Sequence, residues 1–378
     1  MICDRLACRV RVCSLILLAL FLRAREGFGQ NTASLSIILD IDYGSAERTI
    51  EVYQGSGMMP REIAGLRGSR IALATTSLVT QRHLDLPTLE RHLEAAKYNQ
   101  RLEDDPFLMV EARGNAQPMK ELLRELQRRN FGQRVVSTVE QLFPSEARVS
   151  SRLPMFFVAF GPQQVDAFVR RVIWDGPNPR FVGEGEGELT IVVNLAHAVS
   201  YGSSTDERFI GVLSVVAHEV FHAAFGAYKD TSPAWRRYYA TYTTPFDNLL
   251  DLAHNEGIAY YLSLVQRTHG RLTPEWEQRL RSACETFNRN ADELLSPGLT
   301  ERRAFEILRL ANTSGYWESF GSMAGMVIAR QIDQTLGRTA LSETIATGPH
   351  TFFRTYAELM KRDSNLPQLS AAVVRALR

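Results

Sequence analysis

Cysteine is scarce: the 378 residues hold four, and Cys3, Cys8 and Cys13 all fall in the first thirty. With that segment removed on export, Cys284 stands alone, which excludes an intramolecular disulfide and leaves no cysteine cluster for a metal. An excess of either charge is also missing. Lys and Arg number 43 against 42 Asp and Glu, and without residues 1–29 the balance is 38 against 40. No basic footprint for nucleic acid results. Internal repeats, low-complexity tracts and long linkers are absent as well, while 45% of the residues are apolar, enough to bury a large core.

The N-terminus lacks an apolar run long enough to span a bilayer. Val12 to Leu22 is eleven residues, against about twenty for a span. Arg5, Arg9 and Arg11 precede it and Gly27-Phe28-Gly29 follows, the layout of a signal peptide over 1–29 cleaved before Gln30. The expectation is a periplasmic or secreted protein with no stable membrane insertion.

What the chain does have is Phe209 to Phe225, FIGVLSVVAHEVFHAAF, in which 12 of 17 residues are apolar and spread round the full helical circumference. Such a helix has no solvent face and must lie in the core. Its only ionisable groups, His218, Glu219 and His222, would be costly to bury without partners. A metal ion would satisfy them: residues four apart stand on one face, about 6 Å apart along the axis, within reach of one cation. Glu219, turned about 100° from His218, sits beside that cation rather than on it. This is the H-E-x-x-H pattern of zinc hydrolases, with the Glu as general base. A buried histidine pair bonded to carbonyls is the competing reading.

Around it, Leu35 to Asp42 reads as a strand or helix lead-in with two surface acids; Asp40 and Asp42 match the D-x-D of aspartate-dependent phosphatases poorly, since Gly44 stands where Thr or Val belongs. Leu86 to Leu142 is helical in pattern, with His92, Leu93 and Lys97 expected on a charged surface helix. Strands are expected at Met155–Phe160 and Leu189–Leu195, with a turn at Asp175–Pro179. The Gly183–Glu188 run alternates Gly with three carboxylates that would repel phosphate, so it reads as a hairpin or rim. Ser204 to Glu207 forms a capping box, and Gly226 is expected to end the helix it starts. Thr244-Pro245 opens another helix running to about His269 before Gly270. The C-terminal third is helical, and Gly321 and Gly325 permit close approach to a neighbour, expected to be the histidine helix.

HEVFH followed by NEGIAY resembles the gluzincin zinc peptidases. Carried over by position, the resemblance implies His218, His222 and Glu256 as zinc ligands and Glu219 as base. More narrowly, most of the mature chain is similar to an uncharacterised bacterial family of zinc-dependent proteases. Two departures stand out: an added segment around Tyr228 to Thr244, and Tyr260 where some gluzincins carry an Asp supporting a ligand. The metzincin pattern fails, with Phe225 and Tyr228 in place of its Gly and third His. Zincins also present an edge strand to the substrate backbone, and Leu189–Leu195 is the candidate.

For the third ligand the sequence offers Asp251, His254 and Glu256. Two residues apart on a helix is about 200°, so His254 and Glu256 cannot both face one metal. Glu256 shares an apolar stripe with Leu249, Leu252, Tyr260 and Ser263, and His254 lies on a more polar side with Asp247, Asp251 and Tyr261; Glu256 is therefore the expected ligand, and His254 a residue of the rim or one that supports a ligand. Tyr316 is the candidate to stabilise an oxyanion. The expected fold is α+β and helix-rich, with a signal peptide (1–29), a mainly helical region (30–150), a zincin-like core with a small sheet (151–270) and a helical C-terminal lobe (271–378). The expected activity is zinc-dependent hydrolysis of peptide or protein substrates; the alternative is an exported scaffold that keeps the zinc without turnover.

Overall fold

The computed structural model describes residues 34–55, 58–162, 167–183, 186–312 and 319–378. The expected signal peptide and Tyr316 lie outside the described residues. Five strands, β1 (Ser34–Asp42), β2 (Arg148–Val158), β3 (Ala167–Asp175), β4 (Asn178–Val182) and β5 (Glu188–Asn194), form one mixed sheet of order β1-β2-β5-β3-β4. β1, β2 and β5 run parallel, and β3 pairs antiparallel with both β5 and β4. The rest is mostly helix, so the chain is α+β and helix-rich.

The sheet is covered on both faces, which is why the end of β2 reads as an unbroken apolar run rather than an alternation. Leu153 to Phe160 are all buried. Neighbouring side chains on β2 point to opposite faces: Phe156 packs against Gly68 of α1 (Arg67–Thr80), and Phe157 meets Phe131 at the start of α2 (Phe131–Glu140) at 5.9 Å. Phe131 in turn touches Phe209 of α3 (Thr205–Thr231), so the histidine helix lies on the Phe157 side. Asp40 and Asp42 at the end of β1 are taken up by Arg152 and by the Gly44 amide.

Leu189–Leu195 is not an edge. β5 is hydrogen-bonded on both sides, to β2 and β3, and Ile191, Val192 and Val193 are buried; the β-branched run that marked it as a strand marked a central one. The sheet's outer strands are β1 and β4.

α3 does not stop at Gly226 either; it continues to Thr231, because Tyr228 and Lys229 beyond the glycine are packed inward and tertiary contact outweighs a glycine cost of about 1 kcal/mol. Its most apolar window is long and hydrophobic enough for a bilayer span, but 67% of that window is buried within the protein, the signature of a core helix. His92 is also inside rather than on the surface: only 3% exposed, it spends its ring nitrogens on the Thr88 and Asp104 carbonyls at 2.7 and 2.9 Å.

After α3 come α4 (Pro233–Thr241), α5 (Pro245–Thr268), α6 (Glu301–Ala311) and α7 (Phe320–Leu336). Gly325 of α7 packs on α5, not on the histidine helix: a Cβ there would lie 1.8 Å from the Ala253 carbonyl oxygen. One hydrophobic cluster runs through all of these elements, from Leu35 to Leu377.

Candidate metal centre

α3 begins at a reciprocal capping box, Ser204 with Glu207, and α5 at another, Thr244 with Asp247, with Pro245 in the first turn. The two helices pack antiparallel, since His222 meets Asn255 while Lys229 meets Asp251, four residues earlier. Their inward faces place His218, His222 and Glu256 together, each partly buried, with one donor atom apiece inside a 4.8 Å span.

The triangle is compact. His218 Nε2 and His222 Nε2 are 3.0 Å apart, and Glu256 Oε2 lies 3.4 Å from His222 Nε2 and 3.8 Å from His218 Nε2. A tetrahedral ion with bonds near 2.0–2.1 Å separates its ligand atoms by about 3.3–3.4 Å. Three sides of that mean length outline one face of such a tetrahedron. His222 Nδ1 lies 3.2 Å from Asn255 Oδ1, which can only accept, so Nδ1 carries the ring proton in the neutral imidazole and the Nε2 lone pair faces His218 and Glu256. Electron-rich atoms converging in this way call for a cation between them.

The electrostatics agree. Burial disfavours the His222 imidazolium, but the Glu256 carboxylate, with help from Glu219 and Asn255, outweighs it and raises the pKa above the usual value. For Glu256 burial pushes up, while His222, His218 and the Asn312 amide pull down and hold the carboxyl at about 2. The carboxylate and the His222 imidazole thus each favour the other's charged form.

Glu219 follows His218 on α3, partly exposed, and its charge is felt at His222. The Tyr260 ring lies edge-on to His218 at 4.8 Å, occupying the place where the resemblance led to an Asp. Glu256 Oε1 accepts a 3.0 Å hydrogen bond from Asn312 Nδ2, at the end of α6. Nothing in the sequence pointed to Asn312, 56 residues away; Asn255 stood inside the NEG motif, and its adjacency to Glu256 was the only signal.

The other candidates for third ligand are elsewhere. His254 is not a rim residue: it is 0% exposed, packed among Phe225, Trp235 and Phe352, with Nε2 3.3 Å from Thr344 Oγ1. The face that looked polar in sequence is covered by α4 and by the helices after α7. Asp251 binds Lys229 Nζ at 2.7 Å and accepts from Tyr239 Oη at 2.9 Å. That lysine lies over the rings of Phe225 and Trp235. The added segment is thus the end of α3 plus α4, bolted to α5 by Tyr239 and the Lys229–Asp251 pair.

A histidine pair one helical turn apart, met by a carboxylate from an antiparallel helix, is a set of side chains that could hold one metal ion. Residues 70–365, which span both helices and Asn312, match the family described as "Putative zinc dependent peptidase (DUF5700)", and the chain belongs to that family. Searches of curated proteins and of solved structures found no match.

Proposed function

We propose that this chain is an exported zinc-dependent peptidase of gluzincin type with a zincin-like core, in which His218, His222 and Glu256 hold one zinc and Glu219 is the general base. The observation that carries the reading is the Nε2–Nε2–Oε2 triangle, with sides of 3.0, 3.4 and 3.8 Å, whose two imidazoles stand on the helix that also bears Glu219. A bound zinc polarises a scissile carbonyl and acidifies a water molecule. The remaining work belongs to the chain. Asn255 holds the proton on His222 Nδ1 and so keeps Nε2 available. Glu256 turns Oε2 toward the two imidazoles. Glu219, about 100° round the helix from His218, takes the proton of the attacking water and returns it to the leaving amine nitrogen. Peptide or protein substrates follow from the family, and export rests on the N-terminal segment.

Elemental analysis of the purified protein, paired with a chelator-sensitive peptidase assay, tests the reading. One zinc per chain is expected. Glu219→Gln should keep the zinc and the fold while losing about 10²–10⁴-fold in hydrolysis. Protein that takes up no zinc even on reconstitution would overturn the reading; zinc uptake with no cleavage of any peptide library would favour a non-catalytic scaffold.

A further inference from the structure

Glu256 has two oxygens, and the structure treats them differently. Oε2 faces both imidazoles, whereas Oε1 faces away to Asn312 Nδ2 at 3.0 Å. Asn312 comes from the far end of the chain, where α6 ends: it leaves helical geometry at φ −135°, ψ 51° just after buried Ala311. Two serines among the described residues further on bear on this end of α6. Ser319 Oγ donates to the Ala311 carbonyl at 2.9 Å, and Ser322 Oγ, 2.7 Å from Ser319 Oγ, also reaches Asn312 Oδ1 at 3.4 Å. Both serines are 0% exposed. An ionised carboxylate only accepts, so the amide must present its NH₂ to Glu256 and its oxygen to the serine hydroxyl.

We propose that Asn312 is a positioning residue that makes Glu256 a one-oxygen ligand. A carboxylate free to rotate can offer both oxygens and fill two coordination positions. With Oε1 engaged, three protein atoms are offered, and the fourth position of a tetrahedral ion stays open for water and substrate. The end of α6 is then part of the metal centre. This inference rests on the zinc reading above and adds a residue and a role to it.

The test uses the purified metal-free protein with Zn²⁺ and Co²⁺ as probes, comparing wild type with Asn312→Leu, which keeps the shape without the donor, and Asn312→Ala. Wild type should bind one Co²⁺ with the strong visible absorption of a low-coordinate site. Both variants should bind zinc about 10–100-fold more weakly and show an altered Co²⁺ spectrum, with unchanged urea midpoints in the metal-free state. Zinc affinity within twofold of wild type and an identical Co²⁺ spectrum would overturn the role of Asn312 while leaving the zinc reading standing. Failure of wild type to bind either ion would overturn the zinc reading itself.

Discussion

His254 lies two residues from Glu256, yet its surroundings give it the opposite character. Enclosed by Phe225, Trp235 and Phe352, its Nδ1 has no hydrogen-bond partner among the described residues. Burial, and secondarily the Lys229 charge, drive its pKa well below the usual value, so the ring is neutral. The sign of the linkage follows. The unfolded chain binds a proton at this histidine near pH 6.5 and the folded chain resists it, so folding loses stability as pH falls below about 6.5. His254→Leu, which fills the aromatic enclosure without a titrating group, should flatten that part of the pH dependence in urea unfolding between pH 7 and pH 5. A variant with the same acid sensitivity as wild type would show that His254 is not the group responsible. His222, one helix away, is shifted upward because Glu256 faces it. The two rings differ in what the fold places against them.

Between elements, the closest fit is α5 against α7. A Cβ on Gly257 would stand 2.2 Å from the Gly325 carbonyl carbon, and 2.4 Å from its Cα. Helix propensity alone favours Gly257→Ala by about 1 kcal/mol. Here the backbones themselves touch, no side chain can move aside, and the overlap decides the sign. Gly257→Ala should destabilise by about 1–3 kcal/mol or more. Because Glu256 is the adjacent residue, the same change should weaken zinc binding. Denaturant unfolding and zinc titration of one variant read both effects, and unchanged stability would show that the two helices separate freely. On the other side of α5, the Lys229–Asp251 pair and Tyr239 fasten α3 and α4 to it. α5 is thus gripped from both sides, and the Glu256 carboxylate is held at the imidazoles by helix packing before any metal arrives.

Across the whole molecule, the centre joins segments that are far apart in the chain: α3, α5 and, through Asn312, the end of α6. An ion that binds this arrangement and not the unfolded chain stabilises it by mass action, about 4 kcal/mol at a free concentration a thousand times Kd. Thermal unfolding with zinc should therefore occur several degrees above the chelated protein, with the difference abolished in His222→Ala. Coincident melting curves would separate the metal from the fold. The α3 and α5 helices, their N-caps and the convergence of His218, His222 and Glu256 were legible in the residues, because period, apolar circumference and capping chemistry act over a few residues. The same rules misplaced whatever depended on a distant partner. β5 has the β-branched run of any buried strand, and only pairing with both β2 and β3 made it central. Gly226 breaks helices on average, and only the packing of Tyr228 and Lys229 carried α3 through it. His254 shares a sequence face with acids, and only the helices laid over that face made it a core residue, bonded to Thr344 from 90 residues away. The sequence by itself determined where α3 and α5 begin and which imidazoles and carboxylates they carry; tertiary structure decided which faces meet, and hence that Asn312 rather than a nearby residue bonds Glu256, because long-range contacts leave no periodic trace in the chain.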